Sequence, residues 1–388
     1  MGFCLSPEHE QIRDSIRKLC APFDDAYWLA KDRTGDFPHE LHSALASAGW
    51  LGIAMPVEYG GSGLGITEAA LMMQAIAESG AAMSGASAVH MNIFGLQPVV
   101  VFGTDDQKRR MLPPLIVGKD KACFAVTEPN AGLDTTAITL RAERGGDHYV
   151  LSGQKIWIST AQVANKMLVL ARTTPLETVK RKTDGLTLFY TDLDRTRVSV
   201  RAIEKMGRHA VDSNELFFDG MRVPAADRIG AEGDGFRVIL DGMDPERILI
   251  AAEAVGIGRV ALHRAARYAR ERRVFRRPIG QNQAIAHPLA KAWASLEAAN
   301  LMMLKAASLY DCKRDCAVEA NAAKYLSAEA AFHACDTAVM THGGMGYSKE
   351  FHVERYLREI MIARIAPITP HMILNFIAEK ALGLPKSY

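Results

Sequence analysis

CFAVTE at 123–128, HYVLSGQKIWIS at 148–159, KMLVLART at 166–173, GLTLFYTDL at 185–193 and NELFFDGMRVP at 214–224 decide the fold. Each is a short run rich in Val, Ile, Leu, Phe and Tyr, and each is bounded by Gly, Pro, Asp or Asn, the pattern of a strand. No long helical stretch separates them. The segment from about Asp120 to Gly230 is therefore expected to pair antiparallel, as a barrel or sandwich.

On either side the pattern is helical. From Glu8 to about Lys119, Ala-rich runs such as EAALMMQAIAES carry the helical period, and Pro7, Pro38 and Thr67 sit near helix starts. After Gly235, three long runs have apolar faces at helical spacing: ILIAAEAVGIGRVALHRAARYARER, HPLAKAWASLEAANLMMLKAASLY and VEANAAKYLSAEAAFHACDTAVMTH. Asp244-Pro245 reads as a cap followed by a first-turn proline. The expected organisation is a helical domain over 1–120, a β-domain over 121–229 and a helical bundle over 230–388.

The composition fits a folded chain and narrows its partners. Among 388 residues, 48% are hydrophobic and 23% charged, and the net charge of +2 gives no global pull toward nucleic acid or a membrane. The uncharged stretch from Ser79 to Thr104 contains Ser84, Ser87, His90, Asn92, Gln97 and Pro98, so a buried helix and turn is favoured over a span. The amino terminus lacks an apolar signal core. Gly2 and Ser6 fit the short myristoylation pattern, a common chance match that is set aside. Six cysteines in so long a chain do not form a disulfide framework, and a reducing, cytoplasmic setting is expected. Neither Cys312 with Cys316 nor His39 with His42 has the partners or spacing of a metal site.

Phosphate-loop, dinucleotide and nucleophile-elbow motifs are absent, and Gly256-Ile-Gly258 lies inside a helical pattern where close packing explains it. Three features remain open on their residues alone. Arg264 to Arg277 holds seven arginines and one Glu, which suits a solvated face, nucleic acid or a cofactor's pyrophosphate. Glu246 is either a carboxylate favoured by a helix N-terminus or a general base against an apolar pocket. Trp157, Thr127-Glu128-Pro129 and Gly343-Gly344-Met-Gly346 read as packing, a strand end and a turn.

In combination and order, CFAVTEPNAGLDTT, GQKIWIS, KMGRHAVDSNELFFDGMRVP, DPERILIAAEAVGIG, YARERRVFRRPIGQNQ and THGGMGYSKEFHVERYLRE resemble the acyl-CoA dehydrogenase family over nearly the whole chain. The resemblance implies an α-helical domain, a β-barrel and a four-helix carboxy-terminal domain, with bound FAD and a homotetramer or homodimer. It places Phe124, Val126 and Thr127 along the flavin and Trp157 and Ser159 beside the isoalloxazine ring. Arg272, Phe275 and Gln283 match positions that reach a neighbouring subunit's FAD, and Gly343, Gly344 and Thr369 match further cofactor contacts. Arg276 and Met340 stand where the family pattern has glycine and glutamine.

The reaction so implied removes two hydrogens from an acyl-CoA, a carboxylate taking the α-proton while hydride leaves the β-carbon for flavin N5. Many members take that carboxylate from a late Tyr-Glu-Gly-Thr stretch, which is Ala366-Pro367-Ile368-Thr369 here. Other branches place it at the start of a long helix, and Asp244-Pro245-Glu246-Arg247 fits that pattern. Glu246 becomes the expected base, with Asp244, Arg247 and Leu133 at substrate positions. Leu133 replaces an expected serine, and Pro367 has no N–H for the thioester oxygen. Electrons are expected to pass to an electron-transferring flavoprotein. The alternatives are a relative that uses oxygen, as an oxidase or monooxygenase, and a subunit that binds flavin or acyl-CoA without turnover.

Overall fold

The computed structural model describes residues 5–387; Gly2 lies outside the described residues. Seven helices come first: α1 (Pro7–Cys20), α2 (Asp25–Thr34), α3 (His39–Ser47), α4 (Ile66–Ile76), α5 (Ala82–His90), α6 (Gln97–Phe102) and α7 (Asp105–Ile116). Ser6 caps α1 by accepting from the His9 N–H, and Pro7 follows in the first turn, where its missing N–H costs nothing. Wide helical turns at Ala77–Ala81 and Met91–Gly95 break the run around α5. The run Ile66–Phe102 is long and apolar enough to cross a bilayer, but 72% of its most apolar window is buried in the protein. It forms core, as the sequence suggested.

The strands are β1 (Ala122–Ala125), β2 (Arg141–Gly145), β3 (His148–Ser159), β4 (Lys166–Arg172), β5 (Leu186–Asp192), β6 (Val198–Ala202), β7 (Ser213–Pro224) and β8 (Arg228–Ile229). They form one sheet in the order β6-β7-β3-β2-β4-β5-β8, with β1 on β4. Five pairings are antiparallel; β1 and β2 each meet β4 in parallel register. β4 and β5 are buried along almost their whole length, which explains their unbroken apolar runs. A register shift in β3 between Lys155 and Ile158 carries Trp157 at φ +61°, and its indole is 57% exposed. A bulky residue in that backbone region is held there by its surroundings, and such positions cluster at functional sites.

The remaining helices are α8 (Gly235–Leu240), α9 (Met243–Glu271), α10 (Gln283–Asp311), α11 (Ala317–His342), α12 (Val353–Ile365) and α13 (Pro370–Leu382). The expected cap at Asp244 is not formed. Gly242 precedes α9 with helical backbone angles, because α8 has just ended, so no extended residue is present to cap. Asp244 lies in the first turn and accepts from Arg247 Nη1 at 2.9 Å. Gly256 and Gly258 are packing glycines: a Cβ would stand 2.4 Å from the Gln74 carbonyl oxygen of α4 and 2.8 Å from Leu296 of α10. Both helices approach α9 that closely only because those side chains are absent. Gly256→Ala is expected to lower stability by about 1–3 kcal/mol, read as a fall in the midpoint of thermal unfolding.

Candidate active site

The site begins with a buried ion pair. Glu128, just after β1, accepts from the Thr139 and Leu140 N–H groups at 2.8 and 2.9 Å and from the Thr139 hydroxyl at 2.8 Å. Lys155 of β3, fully buried, donates to Glu128 at 2.9 Å and to the Val126 carbonyl at 2.8 Å. Burial opposes the charge on Glu128, yet Lys155 and the two N–H groups outweigh it and hold its pKa below the ordinary value. Burial draws Lys155 down to about 8. The Ile156 N–H also donates to the Thr127 carbonyl at 2.9 Å. Phe124, Val126 and Thr127 are thereby fixed beside Trp157 and Ser159. All but Trp157 are half-buried, and together they make an apolar shelf edged by two hydroxyls and an open indole. A planar ring system with polar edges, such as a flavin, fits those residues.

Glu246, in the first turn of α9, is 9% exposed. Burial pushes its pKa up to about 7; His90, Arg247 and Lys324 favour the charged form, and Glu253 opposes it. Lys324 of α11 is fully buried, drawn down to about 8 by that burial, and donates to the Ile368 carbonyl at 2.7 Å. It ties the 366–369 loop, where the late acid is missing, to the bundle. Arg247 Nε is buried without a hydrogen-bond partner among the described residues. The Thr369 hydroxyl caps α13, accepting from the Met372 N–H at 3.4 Å. Leu133, in the loop after β1, is 53% exposed and offers only apolar contact.

Two lines of contact join the shelf to the helices. His90 of α5 packs on Phe94 with ring centroids 4.7 Å apart, and Phe94 packs on Phe124 at 5.2 Å. Arg208, between β6 and β7, donates to Ser159 at 2.9 Å, Ser87 of α5 at 3.2 Å and Ser213 at 3.3 Å. Burial lowers its pKa, while Glu253, Glu359 and Asp212 act to raise it.

The other expected cofactor residues gather elsewhere. Arg272 closes α9, about 39 Å along its axis from Glu246. The Ile279 N–H donates to the Arg272 carbonyl at 2.9 Å, which brings the start of α10, with Gln283, to that same end. Phe275 is 94% exposed at φ +50°. Tyr268 of α9 stacks on His342 at 4.3 Å, immediately before the exposed Gly343 and Gly344. Of the arginine run, Arg264 pairs with Asp25, whereas Arg272, Arg273, Arg276 and Arg277 lie open.

Family models match as acyl-CoA dehydrogenase N-terminal domain over residues 6–119, middle domain over 123–221 and C-terminal domain over 233–382. The chain is 39% identical to acyl-CoA dehydrogenase FadE12 of Mycobacterium tuberculosis, covering 100% of this chain and 99% of that protein. It is 33% identical to the caffeyl-CoA reductase–Etf complex subunit CarC of Acetobacterium woodii, covering 90% and 93%. Butyryl-CoA dehydrogenase from Megasphaera elsdenii superposes with a TM-score of 0.92 at 29% identity, covering 99% and 100%. The chain belongs to the acyl-CoA dehydrogenase family. It is a flavoprotein oxidoreductase, and its cofactor is FAD.

Sequence reasoning did not single out His90, Glu253, Arg208 or Lys324. Each is an ordinary polar residue in its segment, and only packing makes it unusual. The proton affinity of Glu246 has a thermodynamic consequence. Folded Glu246 keeps its proton to about pH 7, against 4.5 for an unhindered carboxyl. Between those values the folded state holds more protons, so stability falls as pH rises through the interval. Glu246→Gln removes that loss, and its stability relative to the parent is expected to improve by up to about 3 kcal/mol between pH 4.5 and pH 8. Urea unfolding at both pH values measures the change; an equal difference at both would refute the raised proton affinity.

Proposed function

We propose that this chain oxidises an acyl-CoA thioester to the trans-2-enoyl-CoA, with Glu246 as the base that removes the α-proton. The observation that carries this is a carboxylate buried at the head of α9, its pKa raised to about 7, acted on by His90, which packs through Phe94 on Phe124 of the flavin shelf. A base poised near neutrality takes a proton efficiently at working pH. Bound FAD supplies the acceptor for the hydride that leaves the β-carbon. Glu246 takes the α-proton, and the electron pair left behind forms the double bond. Negative charge grows on the thioester oxygen meanwhile, and the cationic Arg247 and Lys324 provide a field that stabilises it in a water-poor site. That field acts where Pro367 offers no N–H. Leu133 and Asp244, with Arg247, complete the proposed substrate contacts.

Phe124, Val126, Thr127, Trp157 and Ser159 hold the flavin of their own subunit. Arg272, Phe275, Gln283, Gly343 and Gly344 stand too far along the bundle to share it, so they serve a neighbour's FAD in a homotetramer or homodimer. Thr369 belongs with the cofactor contacts while also capping α13. Similarity to a subunit named for an Etf complex supports an electron-transferring flavoprotein as acceptor.

Glu246→Gln is expected to retain its yellow FAD spectrum but slow anaerobic bleaching by acyl-CoA by roughly a hundredfold or more. Bleaching at the parent's rate would remove Glu246 from the chemistry. Reduction of a dye acceptor, with peroxide measured in parallel over an acyl-CoA panel, separates a dehydrogenase from an oxidase and from a subunit without turnover.

A further inference from the structure

We propose that this chain takes an acyl-CoA whose tail carries a hydroxyl group, and that His90 and Glu253, which lie beyond Glu246 along α9, select it. This rests on Glu246 as the base and names the substrate class of the same site. Glu253 follows Glu246 by seven residues, so it lies on the same face of α9, about 10 Å further along the axis. It is a carboxylate with no exposed surface. Burying a charge without partners is costly. Yet Glu253 has one hydrogen bond, Oε1 to His90 Nδ1 at 2.5 Å, and its Oε2 is buried without a partner among the described residues. His90 Nε2 is equally unpartnered, although 12% of the His90 side chain remains open. The pair stands between the base-bearing helix and the aromatic contact that leads to Phe124.

The two free atoms specify the ligand. Glu253 favours the protonated form of His90, which makes Nε2–H a donor while Oε2 is an acceptor. The charged groups facing His90 are Glu253 and Glu246 from α9 and Arg208 from the β6–β7 segment. An alkyl tail pairs with neither atom and leaves both stranded. A carboxylate could accept from Nε2–H but would be repelled by Glu253, and an ammonium would meet the protonated imidazole. A hydroxyl pairs with either atom and adds no charge. Ser87, one turn before His90, and its donor Arg208 add further polar groups beside the pair.

The test uses FAD-loaded enzyme and pairs of acyl-CoA esters matched in length, one plain and one with a hydroxyl between the fourth and eighth carbons or on a terminal phenyl ring. At least one hydroxylated ester is expected to exceed its plain partner tenfold or more in kcat/KM for anaerobic flavin reduction. In the double variant H90F/E253L, checked for FAD content, that ratio is expected to fall below one. Plain esters preferred throughout the panel by the parent enzyme, or a ratio that the double variant leaves unchanged, would overturn the proposal and leave the pair a structural contact or a resting place for water. If no ester reduces the flavin, the dehydrogenase reading fails by itself. Calorimetric binding of the same ester pairs then decides the hydroxyl preference, which is upheld by tighter binding of a hydroxylated ester and overturned by equal or weaker binding.

Discussion

The ion pair of Glu128 and Lys155 is the contact on which the site depends. Five hydrogen bonds converge on two buried charges and fix the end of β1 against β3. Removing either partner would leave an uncompensated charge in the interior, a loss of several kcal/mol in comparable pairs. Trp157 lies two residues beyond Lys155, at the register shift that turns its indole outward. A strained backbone at that point persists because the strands on both sides are held.

A second set of buried charges holds the helical parts against the strands. Glu359 of α12 accepts from the Ser84 N–H and hydroxyl at the start of α5 and from Arg355, which lies one turn earlier in α12. Arg358 binds Asp32 of α2 and the Met206 carbonyl, just before Arg208. Helix α12 thus grips the first helical segment and the β-region together. Arg208, which faces Glu253, and His90, which faces both Glu246 and Glu253, lie beside the elements so held. The surroundings of Glu246, the proposed base, therefore draw on all three segments, although the carboxylate belongs to one.

Strands with apolar runs were legible because β4 and β5 are buried on both faces. Strands β2 and β6, RAERG and VSVRA, were not, since only Ala142 in the one and Val198 in the other are buried, leaving Arg141, Glu143 and Arg144 exposed in β2 and Ser199, Arg201 and Ala202 exposed in β6. The long helices α9, α10 and α11 were legible from their period, whereas the entry to α9 was misjudged. Whether an aspartate caps a helix depends on the backbone that precedes it, and α8 had already set that backbone. Glu246 could be picked out by its motif. Its raised proton affinity could not, because burial is created by elements distant in the chain.

The order of helices, strands and helices, the family membership and the position of the candidate base follow from local pattern and motif, which act over a few residues. The outward turn of Trp157, the gathering of Arg272, Gln283 and Gly343 at the far end of the bundle, and the unpartnered atoms of His90 and Glu253 required the folded chain. Hydrophobic period and turn chemistry are short-range properties. Desolvation and charge pairing are sums over neighbours that only tertiary packing supplies.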